Sequence, residues 1–367
     1  MKTLYRKYRP LSLSEVVGQE QVTQPLSNAL KGGKVGHAYL FTGPRGTGKT
    51  SVARIFAHEI NGFSYELEDD YVDIIEIDGA SNRGIENIRE IREKVAIKPT
   101  VGKYKVYIID EVHMLTREAF NALLKTLEEP PEHVIFIMAT TDFHKVPITI
   151  TSRAETYNFK LVEPKVVLEH LLNICEKEGI KIEPEALKIV VKRGGGSFRD
   201  SLSLLDQISH LSADLITTKM IEEAFGLPED RIIDEMIDSY ADADAAKITT
   251  LLKDLYSRGV KPEIIAEEMI SKIIENPRPQ VLELLKSLPD VKAPFVEAKL
   301  LYALVSSVGQ SQVPFKKPAE PARAAAPVAP AAPARKPEIS AKKADLKSRI
   351  SDIMGGEVQN YGGGSPF

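Results

Sequence analysis

The chain has 367 residues, 43% of them apolar and 27% charged, with one Cys and no Trp. That is ordinary globular usage and excludes a wholly disordered or collagen-like chain; about 150 residues per domain implies two or three domains. The single Cys175 excludes an internal disulfide and any Cys-rich metal site, which points to a reducing cytosol. No run of apolar residues is long enough for a membrane span, and the N-terminus lacks the apolar core of a signal peptide. The formal charge of −4 excludes bulk basicity as a route to nucleic acid but leaves room for a local basic face.

From Gln19 to about Phe159 the pattern alternates helix and strand. A helix is expected over Gln19–Leu30, a buried strand over Ala38–Phe41, then a glycine-rich turn and a helix over Thr50–Ile60. Asp73–Ile77 reads as a strand, and Ile85, Ile88, Ile91 and Val95 mark one face of a helix. Lys105–Ile109 is a β-branched strand. Thr116 can cap a helix carrying Phe120, Leu123, Leu124 and Leu127, which Pro130-Pro131 ends, and Val134–Met138 is a further buried strand. Such alternation implies an α/β fold with a parallel sheet covered on both faces. After Glu163-Pro164 the strands largely stop, and helical patterns run over 163–178, 184–193, 198–211 and 217–225 and onward to about Gly309, interrupted at Gly226-Leu227-Pro228. In 314–337, 16 of 24 residues are Pro or Ala, the composition of a semi-extended linker, and the tail beyond it holds one weak helix over Lys342–Met354. The expected division is 1–160 for the α/β domain, 161–226 for a helical lid, 227–311 for a helical collar, 312–338 for the linker and 339–367 for a short, mostly disordered tail.

Two motifs carry chemistry. Gly43-Pro44-Arg45-Gly46-Thr47-Gly48-Lys49-Thr50, followed by Ser51, fits the phosphate-loop pattern and lies between a strand and a helix, as that pattern requires. Its glycines let backbone N–H groups surround phosphate oxygens, Lys49 supplies charge for the β- and γ-phosphates, and the Thr50 hydroxyl reaches Mg²⁺. Val106–Ile109 then ends in Asp110-Glu111, at the strand end where ligands bind in open α/β sheets. Asp110 suits the Mg²⁺ shell, and Glu111 suits a base that orients and deprotonates water. His113 follows this pair and reads as packing, and Cys175 reads as core, on a face with Leu168, Leu171 and Leu172.

These motifs, with Tyr8-Arg9-Pro10, Val17-Gly18-Gln19, Asp110–Leu115 and Asn121–Pro131, resemble the bacterial clamp-loader ATPases, the AAA+ gamma/tau subunits of DNA polymerase III, over about residues 1–310. The resemblance implies an ATP- and Mg²⁺-dependent subunit of the cytoplasmic replication machinery. It implies delta and delta-prime subunits, a sliding clamp, primer–template DNA and further copies of the chain as partners, with no membrane; whether the tail adds a polymerase or a helicase stays open. It assigns Thr141 as a sensor near the γ-phosphate, Arg153 as a finger into a neighbouring subunit's site, Arg199 as a second sensor at the start of a lid helix, and Tyr8, Arg9, Pro10 and Val17 as an adenine pocket. Arginine suits the finger because it delivers fixed positive charge to a transferring phosphoryl group. One departure concerns zinc: the family's four-cysteine module falls where this chain has Asn61–Asp70, without Cys, so no zinc is expected there. Two rival readings remain, a non-hydrolysing loader scaffold and another AAA+ DNA motor such as a branch-migration helicase.

Overall fold

The computed structural model describes residues 3–65, 71–212 and 214–306. The linker 312–338, the tail 339–367 and its helix over Lys342–Met354 lie outside these residues.

Five strands run in chain order as β1 (Ala38–Thr42), β2 (Ile74–Asp78), β3 (Lys105–Asp110), β4 (Val134–Thr140) and β5 (Glu155–Asn158). They form one parallel sheet in the order β2-β3-β4-β1-β5. The central strands are continuously apolar because both faces are covered, and their side chains still alternate between two cores. Tyr39, Phe41, Val106, Ile108, Ile135 and Ile137 point into one core, with Val22 and Leu26 of α2 (Glu20–Lys31) and Val52 and Phe56 of α3 (Lys49–Asn61). Leu40, Tyr107, Ile109, Phe136 and Met138 point into the other, with Ile88 and Ile91 of α4 (Ile85–Val95) and Phe120 and Leu123 of α5 (Arg117–Glu128). Thr116 caps α5 as expected, its side chain accepting the Ala119 N–H at 3.2 Å.

Several elements were not expected from the pattern. β5 is short and largely exposed and pairs only with β1, so Glu155-Thr156-Tyr157-Asn158 carries little apolar signal. α1 (Leu4–Lys7) and α6 (Ile148–Thr151) are single turns. The helical half also contains a parallel pair of two-residue strands, β6 (Lys181–Ile182) and β7 (Leu215–Ile216).

That half collects around two further cores. One joins α7 (Pro164–Glu178), α8 (Pro184–Gly194), α9 (Phe198–Ser209) and α10 (Thr218–Phe225), and takes in Leu4 of α1. Cys175 is buried in it as expected, and burial pushes its thiol up to about 11; Leu172, expected beside it, is 43% exposed and faces away from the core. The other joins α11 (Asp230–Ala241), α12 (Ala245–Ser257), α13 (Pro262–Glu275), α14 (Leu284–Ser287) and α15 (Val296–Val305). Glu268 of α13 ties the two together: it accepts Lys192 Nζ at 2.7 Å and Arg193 Nη2 at 3.0 Å from the end of α8.

Within 61–70, Phe63 stacks on Tyr71 at 4.4 Å between ring centroids. His58 lies 4.8 Å from Tyr65 and 5.2 Å from Tyr71, so the described part of this segment packs through aromatic rings. Residues 66–70 lie outside the described set.

Candidate nucleotide site

The turn from β1 to α3 is built on positive φ angles at Gly43, Gly46 and Gly48. A Cβ at Gly43 would lie 2.2 Å from the Phe159 carbonyl oxygen, and one at Gly46 would lie 1.9 Å from Ser197 Oγ, so two of these glycines are required by space as well as by backbone angle. Gly48 caps α3 in the left-handed region with open space where its Cβ would be. Thr47 is buried and its hydroxyl donates to the Pro44 carbonyl at 2.9 Å, closing the loop; Arg45 stands out into solvent.

Lys49 is 6% exposed. Its ammonium donates to the carbonyls of Gly43 and Pro44, both at 2.8 Å, which leaves a third donor for an incoming acceptor. Burial pushes its pKa down against the pull of Glu111 and Asp110, so an anion arriving here would find a poorly solvated positive charge. Thr50 Oγ1 donates to Asp110 Oδ2 at 2.7 Å, bringing the start of α3 onto the end of β3. The hydroxyl and the carboxylate form a hard, all-oxygen pair whose chemistry fits Mg²⁺.

Asp110 Oδ1 accepts the N–H of Glu111 at 2.9 Å, and the Gly79 N–H donates to the Asp110 carbonyl at 2.7 Å. Glu111 itself sits at φ +46°, a left-handed conformation that a non-glycine residue holds at a cost of about 1–2 kcal/mol. A Cβ at Gly79 would lie 2.7 Å from the Glu111 carbonyl oxygen, so the residue just after β2 must be glycine for this bend to form. The Glu111 carboxylate is held across the sheet edge by Thr141, whose hydroxyl donates to Oε2 at 3.0 Å and whose N–H does so at 3.4 Å.

The helical half approaches the loop through Ser197, which caps α9, and Arg199 in the first turn of α9. Arg199 Cβ lies 3.5 Å from where a Gly46 Cβ would be, and its guanidinium lies over the Tyr5 ring at 5.5 Å from the centroid. Lys49, Thr50, Asp110, Glu111, Thr141 and Arg199 are thus gathered at the C-terminal edge of the sheet.

Two groups of expected residues are not gathered there. Arg153 precedes β5, whose Glu155 pairs with Tyr39 near the start of β1, so it lies at the N-terminal edge of the sheet. The length of β1, at about 3.3 Å per residue, separates it from its own phosphate loop. There it donates to Glu128 Oε1 and to the Thr149 carbonyl, both at 2.8 Å. Tyr8 is turned onto α7: its hydroxyl donates to Glu178, which also pairs with Lys7 Nζ at 2.7 Å, and burial together with that carboxylate pushes the phenol up to about 12. Arg9 and Pro10 continue this segment, and Val17 is half-buried beside Gly18, which presses on Val162.

Sequence reasoning gave no role to Gly79, Ser197 or Tyr5, and none to Gln19 beyond its place in the Val17-Gly18-Gln19 motif. Gln19 is buried and clamps the chain leaving the sheet, donating to the Lys160 carbonyl at 2.7 Å and accepting its N–H at 3.1 Å. A buried glutamine at a helix start has no local signature, whereas Ser197 could have been found as the cap of the Arg199 helix. His113, expected as packing, faces Glu111 instead, with Nδ1 at 3.3 Å from Oε2.

A family model described as DNA polymerase III, delta subunit, matches residues 18–163, and one described as DNA polymerase III clamp loader subunit, ATPase lid domain, matches residues 166–211. DNA polymerase III subunit tau of Bacillus subtilis is 42% identical over 283 residues, 73% of this chain and 50% of that protein. Subunit gamma/tau of Mycobacterium tuberculosis is 40% identical over 304 residues, 78% of this chain and 52% of that protein. Subunit tau of Escherichia coli is 40% identical over 283 residues, 73% of this chain and 44% of that protein. The chain spans about half the length of the curated relatives it matches. Among solved structures, the RuvB Holliday junction branch migration motor of Thermotoga maritima matches with a TM-score of 0.51 at 21% identity, over 78% of this chain and 99% of that one, a likeness of fold alone. With a phosphate loop, a strand-end acidic pair and a helical lid matched in sequence across most of its length, the chain belongs to the DNA polymerase III gamma/tau family.

Proposed function

We propose that the chain is a clamp-loader ATPase subunit of the DNA polymerase III holoenzyme, which binds and hydrolyses ATP to place a sliding clamp on primer–template DNA. The observation that carries this reading is the contact of Thr50 Oγ1 with Asp110 Oδ2 at 2.7 Å, which joins the two motifs into one site beside the buried Lys49. Gly43, Pro44, Arg45, Gly46, Thr47, Gly48 and Ser51 complete the phosphate cradle around Lys49. Thr50 and Asp110 would hold Mg²⁺, which when bound offsets the charge of the phosphates. Glu111 is the base that takes a proton from the attacking water, Thr141 holds it, and Arg199 closes on the nucleotide from the lid. Tyr8, Arg9, Pro10 and Val17 frame the adenine side.

The working division is an ATPase domain at 1–160, a lid at 161–226 and an oligomerising collar at 227–311. In this reading Arg153 serves a neighbouring copy. The partners are delta and delta-prime subunits, the clamp, and DNA contacted through its phosphates and therefore without sequence preference. The setting is cytoplasmic, consistent with the finding that no helix among the described residues is long and apolar enough to cross a membrane.

The test is ATP hydrolysis by the chain assembled with its delta and delta-prime partners. Stimulation by sliding clamp plus primed DNA supports the reading. Stimulation by branched DNA alone, with no response to the clamp, overturns it in favour of a branch-migration motor.

A further inference from the structure

The corner after β3 holds a small polar network that the phosphate-site reading leaves unused. The His113 side chain is 9% exposed, with Nδ1 3.3 Å from Glu111 Oε2 and 3.0 Å from Thr140 Oγ1. Thr140 is fully buried at the end of β4, and its hydroxyl is already committed: it donates to the Asp142 carbonyl at 3.1 Å and accepts the Asp142 N–H at 3.0 Å. With that proton spent on a carbonyl, both groups facing His113 Nδ1, a hydroxyl oxygen and a carboxylate oxygen, are acceptors. That assignment, the one that satisfies all of these contacts together, places the ring proton on Nδ1.

The consequence falls on Glu111. Its Oε2 takes the Thr141 hydroxyl and the Thr141 N–H and lies 3.3 Å from His113 Nδ1, whose hydrogen bond is with Thr140 Oγ1, while among the described residues no donor falls on Oε1. The backbone at Glu111 is left-handed, so local preference does not aim this side chain and long-range bonds must.

We propose that His113 is a positioning residue for Glu111: its Nδ1–H, anchored by Thr140, joins Thr141 in holding Oε2 and so leaves Oε1 as the oxygen that receives the proton from water. The proposal rests on the reading of Glu111 as the base. In this proposal His113 acts on the chemistry through the carboxylate alone.

Three variants separate this from a packing role. Asparagine places an amide N–H near the position of Nδ1, whereas glutamine reaches toward Nε2. His113→Asn should keep most of the turnover, while His113→Gln and His113→Ala should lose about tenfold in kcat, the scale of one hydrogen bond to a charged group. ATP affinity, measured by equilibrium nucleotide binding, should be unchanged in all three. In the Glu111→Gln background, His113→Ala should add no further loss, because its only route to the chemistry is gone. A direct reading comes from ¹⁵N histidine spectra of the full chain without nucleotide, with the His113 signal assigned by its absence in His113→Asn. Protonated Nδ1 supports the network.

Protonated Nε2 with bare Nδ1 overturns the proposal. So does a His113→Ala loss of the same size with and without Glu111. If Glu111→Gln leaves turnover at the wild-type rate, the base assignment fails, and the spectra still decide the His113 hydrogen bond by themselves.

Discussion

The two edges of the central sheet hold their polar residues differently. At the C-terminal edge, Lys49, Thr50, Asp110, Glu111 and Thr141 come from the ends of strands and the start of one helix; Thr50 bonds Asp110, Thr141 bonds Glu111, and the nearly buried Lys49 bonds the Gly43 and Pro44 carbonyls. At the N-terminal edge, Arg153 is 35% exposed and leans on Glu128, itself 50% exposed. An ion pair that open contributes at most about 1 kcal/mol, so it gives Arg153 up readily to a stronger partner. One edge resembles a site needing only its ligand, and the other carries a charge with no strong local employment. The difference is the one the proposed function calls for: a single copy would hold the binding half of the site, and its loosely held Arg153 would serve a neighbouring copy.

The same edge also shows what structural employment looks like. Asp73, just before β2, is 1% exposed and accepts the N–H groups of Thr100, Val101 and Gly102 at 2.6–2.8 Å. Burial alone would raise its pKa, but those three amides and Lys105 outweigh burial and hold its carboxyl below the ordinary range. Arg153 has no comparable anchorage.

The largest expected effect is on Arg153. In the assembled loader, Arg153→Ala should cut hydrolysis by about 10³–10⁵, the range of arginine fingers, while ATP binding by the same copy stays intact. Equal loss of binding would erase the contrast between the edges. Next is Glu111→Gln, which keeps the shape and removes the base. Turnover should fall by about 10²–10⁴ with ATP still bound, measured by single-turnover hydrolysis.

Smaller is Asp73→Asn, which replaces an acceptor with a partial donor facing three donors and should cost about 1–3 kcal/mol in denaturant unfolding at neutral pH. The sign follows from the lowered folded pKa. The stabilisation is full above the unfolded-state value and is lost as pH falls through the folded one. The stability gap between the wild-type chain and the Asp73→Asn variant should therefore shrink in acid. The smallest is Glu128→Gln, which releases Arg153. Stability should change by under about 1 kcal/mol and hydrolysis should not fall, whereas a large stability loss would make Arg153 a structural residue after all.

The phosphate loop was legible in the sequence because its pattern is contiguous: eight successive residues make the turn and supply the lysine and the hydroxyl. The central strands were legible because burial on both faces leaves unbroken apolar runs. β5 was not, since an edge strand with one partner and exposed side chains keeps no such run. His113 was misread because its partners include Thr140, and Tyr8 is committed to Glu178; both contacts span long stretches of chain and are created by topology alone. The finger role of Arg153 rests on family resemblance alone, as nothing local distinguishes a finger from a surface cation.

The central claim, that one copy's Arg153 completes another copy's Lys49 site, is tested most directly by mixing two inactive proteins. Lys49→Ala lacks the phosphate charge and Arg153→Ala lacks the finger. Co-assembled with delta and delta-prime partners, some interfaces pair an intact Lys49 with an intact Arg153 from the Lys49→Ala copy. The account predicts that hydrolysis partly returns, with a maximum at an intermediate mixing ratio. No recovery at any ratio, with mixed assembly confirmed by native mass spectrometry, would contradict it.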